Sequence, residues 1–234
     1  MAQSTAGITL RVLSSNGVHG ALAELGPQFE RDSGHRLDIR FDTANALATR
    51  INNGERGDVA IVTAPVMDAL ARDGITLQTQ LLARSGAGVG VRAGTPRPDI
   101  ASVEAFKRTL LATKSIVYTR LGASGIYFAG LIERMGIAAE IKAKAQIPDG
   151  GLVGEFVVAG KADLAIQQIP ELLAVPGVDI VGPFPDEIQV WTVMAAAPFS
   201  EAPHATAAKA LVDFLASPAA LRVYRAKGME LVQT

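Results

Sequence analysis

Between residues 115 and 135 the chain places an arginine, two glycines and a serine between a strand and a helix. Ser115–Tyr118 is β-rich, and Phe128, Leu131, Ile132 and Met135 recur at the spacing of one helical face. The first turn of a helix offers unpaired N–H groups and the positive end of its dipole, which suits an anion. Gly122, Ala123, Ser124 and Gly125 are small enough to leave that backbone open to a ligand. Arg120 adds a planar fork matched to a carboxylate or similar oxyanion. The competing reading is an ordinary strand-to-helix turn capped by Ser124, with Arg120 in a surface ion pair.

Two further turns have the same character. Ser14, Ser15, Asn16 and Gly17 follow the strand-like run 8–13 and precede a helical pattern of Val18, Leu22, Leu25 and Phe29. Asp42, Thr43, Ala44 and Asn45 follow Arg36–Phe41, which alternates at period two, and precede a helix over 46–53. Hydroxyls and amides at such positions either cap the helix or donate to a ligand, and the two roles coexist. Beside the turns, the titratable candidates for proton transfer are His19 and Asp42, with Tyr118 more remote.

The elements that position these turns read as two α/β series. Strands over 8–13, 36–41 and 59–62 alternate with helices, an order that requires a parallel sheet with helices on its faces. In such sheets ligands bind beyond the carboxyl ends of the strands, where the turns fall. The glycine-rich run 81–91 has no helical period and reads as an extended crossover. A second series follows, with helices near 102–113, 124–135, 151–159 and 170–174 and strands at 115–118, 163–166 and 178–181. Ile188–Met194 reads as the return crossover, and two helices close the chain, the last opened by Ser217-Pro218. The expected organisation is an α/β protein of two lobes, residues 1–84 with 195–234 and residues 85–194, with a ligand cleft between them.

Composition narrows the chemistry. The chain has 234 residues, 49% of them apolar, and a net charge of −1, which lacks the basic footprint of a nucleic-acid protein. There is no cysteine, so disulfides, thiolate metal ligands and thiol catalysis are excluded. The three histidines, His19, His35 and His204, show no metal-ligand spacing, and phosphate-loop and dinucleotide glycine patterns are missing. No metal or cofactor is expected. Met1–Gly7 is polar and small, without the features of a signal peptide, and would suit a mature exported chain carrying a new start methionine.

From about Ile8 to Met229 the chain resembles the periplasmic solute-binding proteins of ABC transporters with the type II fold, nearest their molybdate-binding branch. The likeness lies in ordered blocks: Gly26–Glu30 to Gly34, Ala46–Ile51, Gly57–Ala60, Gly125–Tyr127, Val181–Pro185, Phe214–Pro218 and Lys227–Met229. The resemblance implies two lobes joined by two extended hinge crossovers, a monomer that does not insert into membrane, a periplasmic location and an ABC permease as partner. It also implies ligand contacts at Ser14, Ser15, Asn16 and Gly17, at Thr43, Ala44 and Asn45, and at Arg120, Ala123, Ser124 and Gly125. A tyrosine of the family's late site corresponds here to Gln167 and Gln168. The family holds its oxyanion with neutral donors. With hydroxyls replaced and Arg120 added, a di- or tricarboxylate is the expected ligand. Some proteins resembling this branch are isomerases of the aconitate isomerase type, so an allylic proton shift using His19 or Asp42 is the alternative to a receptor. A ligand-sensing domain of a regulator is a third use of the fold.

Overall fold

A computed structural model describes residues 7–232. The reading of the extreme N-terminus as a mature exported end falls mainly on residues 1–6, outside the described residues. The described chain divides into two compact units, one built from residues up to Ala83, Val193–Ala226 and the segment from Glu230, the other from Arg84–Thr192 and Lys227–Met229.

In the first unit β1 (Thr9–Ser15), α1 (His19–Ser33), β2 (Arg36–Asp42), α2 (Ala44–Asn52), β3 (Val59–Thr63) and α3 (Ala64–Arg72) alternate in the expected order. β1 pairs in parallel with β2 and β3. A late strand, β9 (Trp191–Pro198), joins β3 antiparallel. The helices α9 (Ala205–Leu215) and α10 (Pro218–Ala226) complete the unit. Apolar spacing predicts the buried faces: Leu22, Leu25 and Phe29 of α1 are buried, as are Leu211 and Leu215 of α9. Gly34 ends α1 in the left-handed conformation, φ 74°, where a side chain would be strained. The core around Leu13, Leu47, Ile51, Met67 and Phe199 holds β1, β3 and α2 together.

The second unit contains β4 from Arg84 on (the strand spans Gln80–Arg92), α4 (Val103–Ala112), β5 (Ile116–Tyr118) and α5 (Ala123–Arg134). There follow α6 (Ala138–Lys142), β6 (Ala145–Gln146), α7 (Gly154–Val158), β7 (Leu164–Gln168), α8 (Ile169–Leu173) and β8 (Val178–Pro183). β5 is parallel to β6 and β7, whereas β4 runs antiparallel to β7 and β8. Phe184 packs with tilted rings against both Phe106 and Phe128 in a core that also takes Ile116 and Leu164. Both expected crossovers are strands, β4 and β9, each divided between the units.

Three local expectations are corrected. The return run is extended only from Trp191, because Asp186–Ile188 forms a 3-10 turn. The helix expected over 151–159 is shorter, since Gly151 is held at φ 92° and the helix begins at Gly154. Two short elements, α6 and β6, were not anticipated; five and two residues are too few to show a period.

Candidate functional site

In the first unit the register sets two turns side by side. Ser15 of β1 is the partner of Asp42 of β2, so both strands end at one level and turn into helices together. Ser14, Ser15, Asn16 and Thr43 are all buried. Ser14 Oγ donates to the Ser15 carbonyl at 3.2 Å, and Ser15 Oγ accepts from Gly17 N–H at 3.5 Å. A Cβ on Gly17 would lie 3.1 Å from Met194 Sδ, so the turn packs closely against the side chain of a residue of β9. Thr43 caps α2 by accepting from Ala46 N–H at 3.2 Å. A hydroxyl that accepts in this way still has its proton to donate, so Ser15 and Thr43 cap without using their hydroxyl protons in these bonds. Ala44 is buried at the start of α2, and Asn45 is exposed beside it.

Asp42 is committed within the chain. Its Oδ1 accepts from Thr43 N–H at 2.8 Å and its Oδ2 pairs with Arg50 at 3.1 Å. Arg50 also pairs with Glu55 at 2.6 Å, and Glu55 with Arg11 at 2.7 Å. The hydrogen bond from Arg50 holds the Glu55 carboxyl below its usual range, although partial burial opposes it. His19 stands one turn past Ser15 with its ring edge-on to Phe41, centroids 4.4 Å apart. Its Nδ1 is buried without a hydrogen-bond partner.

The second unit places residues 118–125 at the carboxyl end of β5, where Tyr118 is opposite Ile166 and the chain continues beside Gln167. Here the structure changes the reading of the small residues. A Cβ on Gly122 would be 2.3 Å from Thr119 Oγ1, and one on Gly125 would be 1.8 Å from the Thr119 carbonyl oxygen. The glycines therefore admit Thr119, which is buried, rather than leaving open space. Nor does Ser124 cap the helix: Gly122 is the N-cap and no side chain caps it. Ser124 lies inside the first turn, 1% exposed. The N–H groups of Ala123, Ser124 and Gly125 make no hydrogen bond among the described residues. The helix start keeps its donors because no side chain takes them.

Arg120 and the two glutamines are engaged elsewhere. Arg120 pairs with Asp149 at 2.9 Å with two thirds of its side chain exposed, and its own N–H donates to the Pro148 carbonyl at 2.7 Å. This is the surface ion pair that the sequence offered as the alternative. Gln167 accepts from Val153 N–H at 3.0 Å and donates to the Gly151 carbonyl at 2.8 Å, which fixes the loop before α7. The Gln168 amide lies 2.7 Å from Ser85 Oγ and 2.9 Å from Thr192 Oγ1. Ser85, Thr119 and Thr192 were missed in the sequence reading. Thr119 stands inside the stretch first singled out, whereas Ser85 and Thr192 lie in extended runs read only as connections.

Glu171 of α8 is buried, and its carboxylate accepts from Gln168 N–H at 3.3 Å. Desolvation pushes its carboxyl up to about 8. Tyr118 is buried against Phe128, with ring centroids 5.0 Å apart, and burial raises its phenol. Among the described residues no group of three or more His, Asp and Glu side chains is placed to hold a metal. No described helix is long and apolar enough to cross a membrane.

Both units are α/β, with parallel strands that end in polar turns, and the chain belongs to the bacterial extracellular solute-binding protein family, whose model matches residues 10–230. A protein named aconitate isomerase from Pseudomonas sp. is 37% identical over 232 residues, 96% of this chain and 88% of that protein. The fold is that of the periplasmic molybdate-binding protein of Azotobacter vinelandii, with a TM-score of 0.81 at 18% identity over 96% of this chain and all of the other. The sulfate-binding protein SubI of Mycobacterium tuberculosis superposes with a TM-score of 0.76 at 16% identity, covering 97% of this chain and 88% of that one.

Proposed function

We propose that this protein is an exported, periplasmic receptor that binds a small di- or tricarboxylate and delivers it to an ABC permease. The observation that carries the reading is the start of α5, where three consecutive N–H groups have no acceptor among the described residues, one of them on a buried serine. The hydroxyls of Ser15 and Thr43, which cap and still hold a proton, are the corresponding donors of the first unit. Neutral donors fixed by the fold solvate an anion at little reorganisation cost. Because Asp149 offsets Arg120, the preference for a carboxylate no longer rests on that arginine. It rests on the relative that shares 37% identity and is named for an isomerase of aconitate.

That relative also favours a second reading, an isomerase of a small unsaturated tricarboxylate on the same scaffold. Both readings use the same donors and need no cofactor. They separate in one experiment. The protein is titrated with cis-aconitate, trans-aconitate, citrate, molybdate and sulfate by calorimetry, and the aconitate mixtures are followed by proton NMR. The receptor reading expects a carboxylate to bind and no aconitate to interconvert. Interconversion supports the isomerase, and binding of molybdate or sulfate with no response to any carboxylate overturns both.

A further inference from the structure

We infer that His19 is the group that moves the proton in an allylic isomerisation of a tricarboxylate; this rests on the isomerase reading above. The sequence offers three candidates for proton transfer near the polar turns, His19, Asp42 and Tyr118, and the structure separates them. Both Asp42 oxygens are engaged, by Thr43 N–H at 2.8 Å and by Arg50 at 3.1 Å, so proton uptake there would break an ion pair that also involves Glu55. Tyr118 is 2% exposed and sits in the core against Phe128. His19 alone has an uncommitted ring. Its Nδ1 is buried without a partner, and Nε2 makes no hydrogen bond among the described residues. Phe41 holds the ring edge-on at 4.4 Å, so the imidazole is positioned by packing rather than by a bond that would consume a nitrogen.

Its place in the chain suits the chemistry. His19 begins α1 directly after the turn of Ser14–Gly17, and its ring packs on Phe41, which immediately precedes the turn of Asp42–Asn45. A carboxylate held by Ser15 and Thr43 would bring its neighbouring methylene to this ring. The step is balanced. Neutral imidazole takes one proton from the methylene carbon of the propene tricarboxylate, and the electron pair delocalises over the three-carbon unit. The double bond moves by one position, and the imidazolium returns one proton to the other terminal carbon. No oxidant, reductant or second substrate enters.

The test uses His19→Gln and His19→Ala in the full chain, with trans-aconitate as the probe. On the isomerase reading the expected result is interconversion by the unaltered protein, accompanied by deuterium incorporation in heavy water. In His19→Gln the turnover number falls at least about a hundredfold while trans-aconitate binding by calorimetry changes less than about threefold. Added imidazole restores part of the activity of His19→Ala. Turnover within about threefold of the unaltered protein in either variant overturns the assignment and leaves the isomerase reading intact. Absence of interconversion in the unaltered protein overturns the isomerase reading and the assignment together. Loss of binding and turnover in equal proportion would make His19 a structural residue and also overturns the assignment.

Discussion

The helix starts of the two units solve the same problem in opposite ways. At α2 a threonine caps the first turn, and before α1 a serine accepts from Gly17. Their side chains engage backbone N–H groups of Gly17 and Ala46, and their hydroxyl protons are not used in those bonds. At α5 the cap is a glycine, the neighbouring threonine is folded under the turn, and the N–H groups themselves remain. A polar residue at a strand end is therefore no measure of how much of the helix start is available. In the second unit the conspicuous side chains, Arg120, Gln167 and Gln168, serve the loops at 147–153 and the extended segments around Ser85 and Thr192. The N–H groups left without a partner among the described residues belong to Ala123, Ser124 and Gly125, whose side chains are small or absent.

Breaking the uncapped start should have the largest effect. Gly125→Val places a side chain where the Thr119 carbonyl stands, so about 1–3 kcal/mol of stability and all anion-induced thermal stabilisation should be lost. Unchanged ligand stabilisation, measured by thermal unfolding, would show that the α5 start is not used. The capped start should be less sensitive. Thr43→Val removes both the cap and the spare donor, costing about 1 kcal/mol in denaturant unfolding and about tenfold or more in carboxylate affinity.

Glu171 gives the second unit a pH dependence of its own. Its folded-state value, about 8, lies above the ordinary carboxyl value, so the folded state holds a proton that the unfolded chain has released. Its contribution is fully present at acid pH and is lost as the pH rises toward about 8. In Glu171→Gln the fall in melting temperature between about pH 5 and about pH 8 should flatten. An unchanged pH profile would place the sensitivity elsewhere. Arg120→Ala should be the mildest change. An exposed ion pair contributes at most about 1 kcal/mol, and affinity for the anion should stay within about threefold. A loss of tenfold or more would restore Arg120 as the ligand's anchor.

The fold was legible because its long elements keep their periods. The faces of α1, α5 and α9 and the alternation in β2 follow from apolar spacing, and ordered blocks spread along the chain pointed to the solute-binding family. The site was legible as positions but less as roles. Residues 14–17, 42–45 and 118–125 do end strands and start helices, as expected. What Arg120 pairs with depends on Asp149, which is remote in sequence and unremarkable there. That Thr119 fills the space of two glycines depends on how the turn folds back, and no spacing rule reports it. His19 could be named as a candidate from its place after the first turn. Its uncommitted nitrogens, and the full engagement of Asp42, required the tertiary contacts.

We propose that the N–H groups of Ala123, Ser124 and Gly125, unpaired among the described residues, receive a carboxylate. This is tested most directly by the amide proton and nitrogen shifts of these three residues during titration with trans-aconitate. A saturable downfield shift of these amides, at the midpoint found by calorimetry, is the predicted result. Binding detected by calorimetry with these three amides unmoved at saturation would contradict it.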